Sequence, residues 1–165
     1  MAVRIIITGG TFDKAYDAIR GELTFTDTHL PRILERVRCT APYELEINQL
    51  IDSLEMTEHN RNAILEASRN AAEEDVVVTH GTDTMVETAR LLGGSGLAKT
   101  IVLTGAMVPY TMADTDAVFN LGSAVTAAQL LPQGVYIAMN GRIFRWDNVR
   151  KNKERGVFEE LAPQA

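Results

Sequence analysis

The chain has 165 residues, of which 45% are apolar and 23% charged, and its formal net charge is −6. That length fits one domain able to bury about 70% of the surface its unfolded form exposes, and the acidic balance argues against nucleic acid or an anionic membrane as a partner. Cys39 is the only cysteine, which excludes a disulfide framework and fits a reducing, cytoplasmic compartment.

The opening MAVRIIITGG holds one Arg and a short apolar run. Secretory h-regions run to about 7–15 residues, so this reads as a first strand and not a leader. Gly9 and Gly10 follow with a hydroxyl on each side, either as a plain turn or as cleared space for a small molecule. The segment from Phe12 to His29 has little apolar periodicity, and connections longer than about 12 residues are commonly lids or binding loops. A lid is expected there. LPRILERV reads as a helix with Leu30, Ile33, Leu34 and Val37 on one face. YELEINQL alternates as a strand with Leu45, Ile47 and Tyr43 pointing one way. A helix capped by Thr57 comes next, then the compact strand DVVVTH. DTMVETARLL is helical and is expected to stop at Gly93-Gly94. KTIVLTG is a strand, DAVFNLGSAVTAAQLL a helix ending before Pro132, and GVYIAMNG a fifth strand. No run approaches the roughly 18 consecutive apolar residues of a membrane span.

Strands alternating with helices at this spacing predict an α/β fold: a three-layer, Rossmann- or flavodoxin-like, mainly parallel sheet with helices on both faces. One domain over residues 1–165 is expected. In such sheets ligands bind beyond the carboxyl ends of the strands. The exits read TGGT, DSLEMT, HGTDT, TGAMVP and MNGR, hydroxyls and small residues with three carboxylates, which suits a close-fitting polar pocket. In HGTDT, Thr82 or Asp83 serves as a helix cap, or the N–H groups of that helix start hold a carboxylate or an oxyanion.

Several chemistries are excluded. TGGT lacks the GxGxxG spacing of dinucleotide binders and the GK[ST] of a P-loop. His29, His59 and His80 show no metal-ligand spacing, so neither a metal nor another cofactor is expected. There is no GxSxG elbow, and Cys39 follows a helix away from the sheet's active edge. A threonine nucleophile needs a base. Lys14 and Tyr16 in the lid, Asp83, and an amine from later in the chain are the groups available. RWDNVRKNKER is locally basic, and for most of its members a solvated face is the plain reading.

TGGTFDK, IDSLEMT, VVTHGTDTMVETA, VLTGAMVP and DAVFNL, in this order and spacing, together resemble the bacterial-type L-asparaginase family over nearly the whole chain. The resemblance implies hydrolysis of L-asparagine to L-aspartate and ammonia through an acyl-threonine, with glutamine or other small carboxamides as alternative substrates and a non-catalytic amino-acid-binding module as the rival class. It implies Thr11 as nucleophile, Thr82, Asp83 and Lys151 as the group that activates the hydrolytic water, with Lys153 the alternative lysine, and Tyr16 as the lid tyrosine. Substrate contacts are implied at Gly10, Asp52, Ser53, Thr82, Asp83 and Ala106. Ser53 would hold the α-carboxylate, Asp83 the α-amino group and the Ala106 carbonyl the amide nitrogen, with backbone amides around Gly10 and Thr82 facing the oxyanion. The sequence departs from many relatives in its length, which matches the short single-domain forms, in Val108 where Arg is common, and in Ala117 where Gly is common. A domain without its usual second domain is expected to form a homo-oligomer, in which Glu159 or Glu160 could reach a neighbour's site.

Overall fold

The opening run forms strand β1 (Val3–Gly9), with Val3, Ile5, Ile6 and Ile7 fully buried. Burial on both faces is what a continuous β-branched run needs, and a parallel sheet covered by helices supplies it. The structure, a computed structural model, describes residues 1–162, so residues 163–165 of the expected domain lie outside the described residues. A 3-10 turn at Thr11–Asp13 leads into a hairpin of β2 (Ala15–Asp17) and β3 (Glu22–Thr24). Then come α1 (Leu30–Arg36), β4 (Tyr43–Ile51), a 3-10 turn at Ser53–Glu55, α2 (Glu58–Asn70), β5 (Asp75–Thr79) and α3 (Met85–Gly94). The chain continues through β6 (Thr100–Thr104), α4 (Ala117–Leu130), β7 (Gly134–Met139) and β8 (Arg142–Arg145) to a second hairpin of β9 (Arg150–Asn152) and β10 (Val157–Glu159).

Six strands make one sheet in the order β4-β1-β5-β6-β7-β8, parallel throughout except for β8. Alternate residues of β1 feed two cores. Ile5 and Ile7 pack with Ile33 and Leu34 of α1 and Leu121 and Ala124 of α4, whereas Ile6 packs with Ile64 of α2 and Leu92 of α3. The expected three layers are therefore present. From β1 the chain moves outward to β4 on one side and to β5, β6 and β7 on the other. The switch point of the topology thus lies between β1 and β5, the position where open α/β sheets hold ligands. Thr11 and Thr82 follow those two strands.

The elements that periodicity does not announce are short. β8 is launched by Asn140-Gly141, both at positive φ (49° and 83°), the backbone of a two-residue hairpin turn. In the lid, Asp17 Oδ1 accepts the N–H groups of Ile19 (2.8 Å) and Arg20 (3.1 Å), and Gly21 at φ 70° completes the bend. Thr57 caps α2 through a reciprocal bond with Asn60, as its sequence suggests. α3 ends at Gly94, within the Gly93-Gly94 pair that its sequence marks as the stop. Gly93 is required there because a Cβ would stand 2.2 Å from the Trp146 ring. Tyr43 and Leu45 of β4 pack on the α1/α4 side, but Ile47 is 55% exposed, since β4 is an edge strand whose register with β1 shifts after Ile7.

Candidate active site

Four strand exits meet through glycines. A Cβ on Gly10 would lie 2.4 Å from Gly81 N, one on Gly81 would lie 2.6 Å from Ser53 Oγ, and one on Gly105 would lie 2.3 Å from the His80 carbonyl. Real Cβ atoms do not approach that closely, so the exits of β1, β5 and β6 are held at backbone contact and the Ser53 side chain of the β4 exit lies directly on Gly81. Four sequence-predicted residues stand beside such contacts: Thr11 after Gly10, Thr82 after Gly81, Ala106 after Gly105, and Ser53 within one. Of the two readings offered for Gly9 and Gly10, cleared space for a ligand is therefore not the one seen: they make room for neighbouring main chain. Gly9 (φ 91°) lies against Ile51, with Cβ space of 2.6 Å, and Gly10 (φ 72°) against Gly81. Gly10 also donates its N–H to the Ile51 carbonyl (3.0 Å), so that N–H is not available to an oxyanion.

Lys151 arrives from the far end of the chain. Val149 is fully buried, and Phe158, the cross-strand neighbour of Lys151, is nearly so; both belong to the α2/α3 core. They anchor the β9–β10 hairpin so that Lys151 Nζ donates to Thr82 Oγ1 at 2.8 Å and to Asp83 Oδ1 at 2.7 Å. Lys153, the alternative, is exposed on the turn beyond β9. Neither Thr82 nor Asp83 caps α3, because Thr84 takes that position. Thr82 is 6% exposed. The remaining cations of the basic cluster are largely neutralised: Arg150 pairs with Glu159 at 2.7 Å, Arg155 with Glu159 at 3.9 Å and Arg145 with Asp147 at 3.2 Å. Glu160 faces Arg142 at 3.6 Å. Both glutamates thus have partners within their own fold.

Ser53 is nearly buried, and its Oγ accepts the Thr84 N–H at 3.3 Å while Thr84 Oγ1 donates to the Ser53 carbonyl at 2.8 Å. Its own hydroxyl proton is left to donate. Asp52 is paired with Lys14, and the hydrogen bond from that lysine holds its carboxyl below the usual range. Tyr16 lies on β2 opposite Leu23, 65% exposed. Among the described residues no hydrogen bond joins it to Thr11, Thr82 or Lys151. Ala106 is buried, and the loop after it is held by Asp116, whose carboxylate accepts Met107 N (2.9 Å), Val108 N (3.0 Å) and Asn140 Nδ2 (3.0 Å). Asn120 extends the network by donating to the Gly105 carbonyl at 2.9 Å and accepting Asn140 N at 3.0 Å. Val108 takes part through its backbone alone, and Ala117 is a core residue of α4.

His80 is a contributor that spacing rules do not single out. It has no exposed surface, and its Nδ1 faces the Gly81 carbonyl and its Nε2 the Thr88 hydroxyl, both at 2.7 Å. A carbonyl accepts only, so Nδ1 carries the proton. Burial pushes the imidazole from 6.5 down to about 4, so a neutral ring braces the peptide before Thr82. Among the described residues no group of His, Cys, Asp and Glu could hold a metal ion, and no helix is long and apolar enough to cross a membrane.

Comparison with known proteins agrees with this fold. The family model described as "Asparaginase, N-terminal" matches residues 2–159. A glutamyl-tRNA(Gln) amidotransferase component of Methanococcus vannielii is 34% identical over 94% of this chain and 37% of its own length. A glutaminase-asparaginase of Acinetobacter glutaminasificans is 31% identical over 90% of this chain and 49% of its own. The solved structure of the thermostable L-asparaginase from Thermococcus kodakarensis superimposes with a TM-score of 0.84 at 26% identity, covering 98% of this chain and 51% of that one. The chain spans about half or less of the length of these proteins.

Proposed function

Because the chain belongs to the asparaginase family, we propose that it hydrolyses the side-chain amide of L-asparagine to L-aspartate and ammonia through an ester on Thr11. The observation that carries this reading is Lys151 Nζ seated between Thr82 Oγ1 and Asp83 Oδ1. A threonine hydroxyl attacks only if a neighbour takes its proton, and a base oriented by a third group is the recurring device for that. Thr11 Oγ adds to the amide carbon, its proton passes through Thr82 Oγ1 to the uncharged amine form of Lys151, and the departing amide nitrogen takes that proton up and leaves as ammonia. Water then adds to the ester, losing a proton to the same group, and Thr11 regains its hydrogen as aspartate departs. With the Gly10 N–H committed to Ile51, the N–H groups of Thr11 and Thr82 face the oxyanion. One such donor is worth about 10²–10³ in rate.

Ser53 donates to the α-carboxylate, Asp83 Oδ2 meets the α-amino group, and the Ala106 carbonyl, steadied by Asp116 and Asn120, meets the amide nitrogen. Tyr16, exposed on a hairpin, reaches the site when the lid closes. The names of the relatives favour a second substrate reading, glutamine or another carboxamide. Thr11→Ala should abolish ammonia release from asparagine and the aspartyl adduct seen on the intact chain by mass spectrometry, with an unchanged circular dichroism spectrum. Turnover near the wild-type rate would refute the nucleophile. Tight aspartate binding with no turnover of any amide would favour the binding module. The cytoplasm suits the single thiol, and recovery of the native protein from the periplasm of its host would refute that placement. Self-association suits the exposed Phe119 and Leu130 of α4 (60% and 77%); a monomer in sedimentation at micromolar concentration would refute it.

A further inference from the structure

We propose that Asp13 is a positioning residue that locks the Thr11 turn to the base of the lid, a role that rests on the assignment of Thr11 as nucleophile. Asp13 lies two residues beyond Thr11 in the same 3-10 turn, and its N–H donates to the Gly10 carbonyl at 3.2 Å. Its side chain has no exposed surface. Oδ1 accepts His29 N at 2.8 Å and Thr28 Oγ1 at 3.1 Å, while Thr28 Oγ1 in turn accepts Leu30 N, the first residue of α1, at 3.2 Å. One oxygen thereby ties the outgoing and returning stems of the lid. The loop after β6 joins the same knot. The His29 ring packs on Tyr110 (5.5 Å between centroids), Tyr110 N donates to the Phe12 carbonyl at 3.4 Å, and Thr111 Oγ1 donates to the Lys14 carbonyl at 3.4 Å.

Asp13 is a costly choice for holding a loop. Oδ2 and His29 Nε2 are both buried without a hydrogen-bond partner among the described residues. Burial raises the Asp13 carboxyl above its ordinary value against the bonds from His29 and Thr28 that lower it. A buried acid left half satisfied is a poor stabiliser, yet it stands where the nucleophile's turn, the lid stems and the Ala106 loop converge. What it supplies is a fixed geometry at that junction: the Thr11 side chain cannot drift when the lid hairpin moves. A positioned nucleophile needs such a fixed support.

The wild type, Asp13→Ala and Asp13→Asn are compared by trypsin cleavage after Arg20 in the lid, by hydrogen exchange over residues 15–24, and by steady-state ammonia release. Asparagine at position 13 keeps an acceptor for His29 N and Thr28 Oγ1 without the charge. The expectation for Asp13→Ala, at temperatures where its circular dichroism is native, is about tenfold faster cleavage and exchange, the loss of roughly one local bond. Its kcat should fall about tenfold with KM moved less than about threefold, while Asp13→Asn stays within about twofold of wild type in every readout. Wild-type cleavage and exchange rates in Asp13→Ala would overturn the proposal, as would an Asp13→Asn enzyme as impaired as Asp13→Ala, since charge would then be the requirement. If Asp13→Ala does not fold, Thr28→Val removes one of the two bonds, and an unchanged lid cleavage rate in that variant overturns the proposal equally. A wild type that releases no ammonia from any amide would refute the hydrolase reading and its claim on kcat, while cleavage and exchange still decide whether Asp13 holds the lid.

Discussion

Lys151→Met separates the proposed proton relay from the fold. Methionine keeps the apolar stem of a side chain that is 11% exposed, and removes only the ammonium that donates to Thr82 and Asp83. Asp83 is 39% exposed, so water replaces the lost charge partner and the stability cost is that of a screened surface pair, about 0–1 kcal/mol. In a chain of this size that shifts Tm by about 0–4 °C. The chemical cost is of another order. A positioned acid–base group contributes about 10²–10⁴ in rate, so kcat for ammonia release should fall about 10³-fold, or roughly 4 kcal/mol of barrier. Coupled ammonia detection measures it, with Lys153→Met as the control from the same hairpin. That exposed side chain should leave kcat within about twofold of wild type. A folded Lys151→Met enzyme that keeps more than about a tenth of wild-type kcat would refute the relay.

Gly10→Ala should be destabilising well before any effect on chemistry is measured. The new Cβ stands 2.4 Å from Gly81 N at φ 72°, an overpacking of backbone on backbone that costs about 3 kcal/mol, and a Tm within about 2 °C of wild type would refute it. His80 makes stability depend on pH. Its folded value of about 4 lies below the 6.5 of the free side chain, so between those values the unfolded chain binds the extra proton and stability is lost as pH falls, by up to about 3 kcal/mol. Denaturant titrations from pH 7 to 4 should show that loss in the wild type and its absence in His80→Gln; parallel slopes would show the ring to be irrelevant.

The order of strands and helices was legible because β-branched runs and a 3.6-residue period mark long elements, and the five exits at one edge follow from a parallel sheet. The Thr82–Asp83–Lys151 contact needed the family pattern, since 68 residues separate the lysine from its acid and no local rule joins them. Of the unseen elements, β8 carried a signal in Asn140-Gly141, the strongest short hairpin pair. The lid hairpin carried almost none, being two strands of three residues with exposed apolar side chains. The glycines stand out at the exits, but their reason is tertiary. Whether a missing side chain makes room for a ligand or for another stretch of main chain is decided by what lies opposite, and for Gly10 that is a residue 71 positions away in the sequence.

The glycine contacts also bear on how this scaffold can be redesigned. Where main chain rests on main chain at Gly10 and Gly105, there is no side-chain size to adjust, so the floor beneath Thr11 offers a protein engineer nothing to tune. Selectivity between amides is instead open to change at the rim, around Leu23 of the lid hairpin and around Leu54, whose side chains are open to solvent. Directed libraries confined to those two segments should therefore yield folded variants with shifted preferences, whereas libraries aimed at the floor should yield mostly unfolded chains.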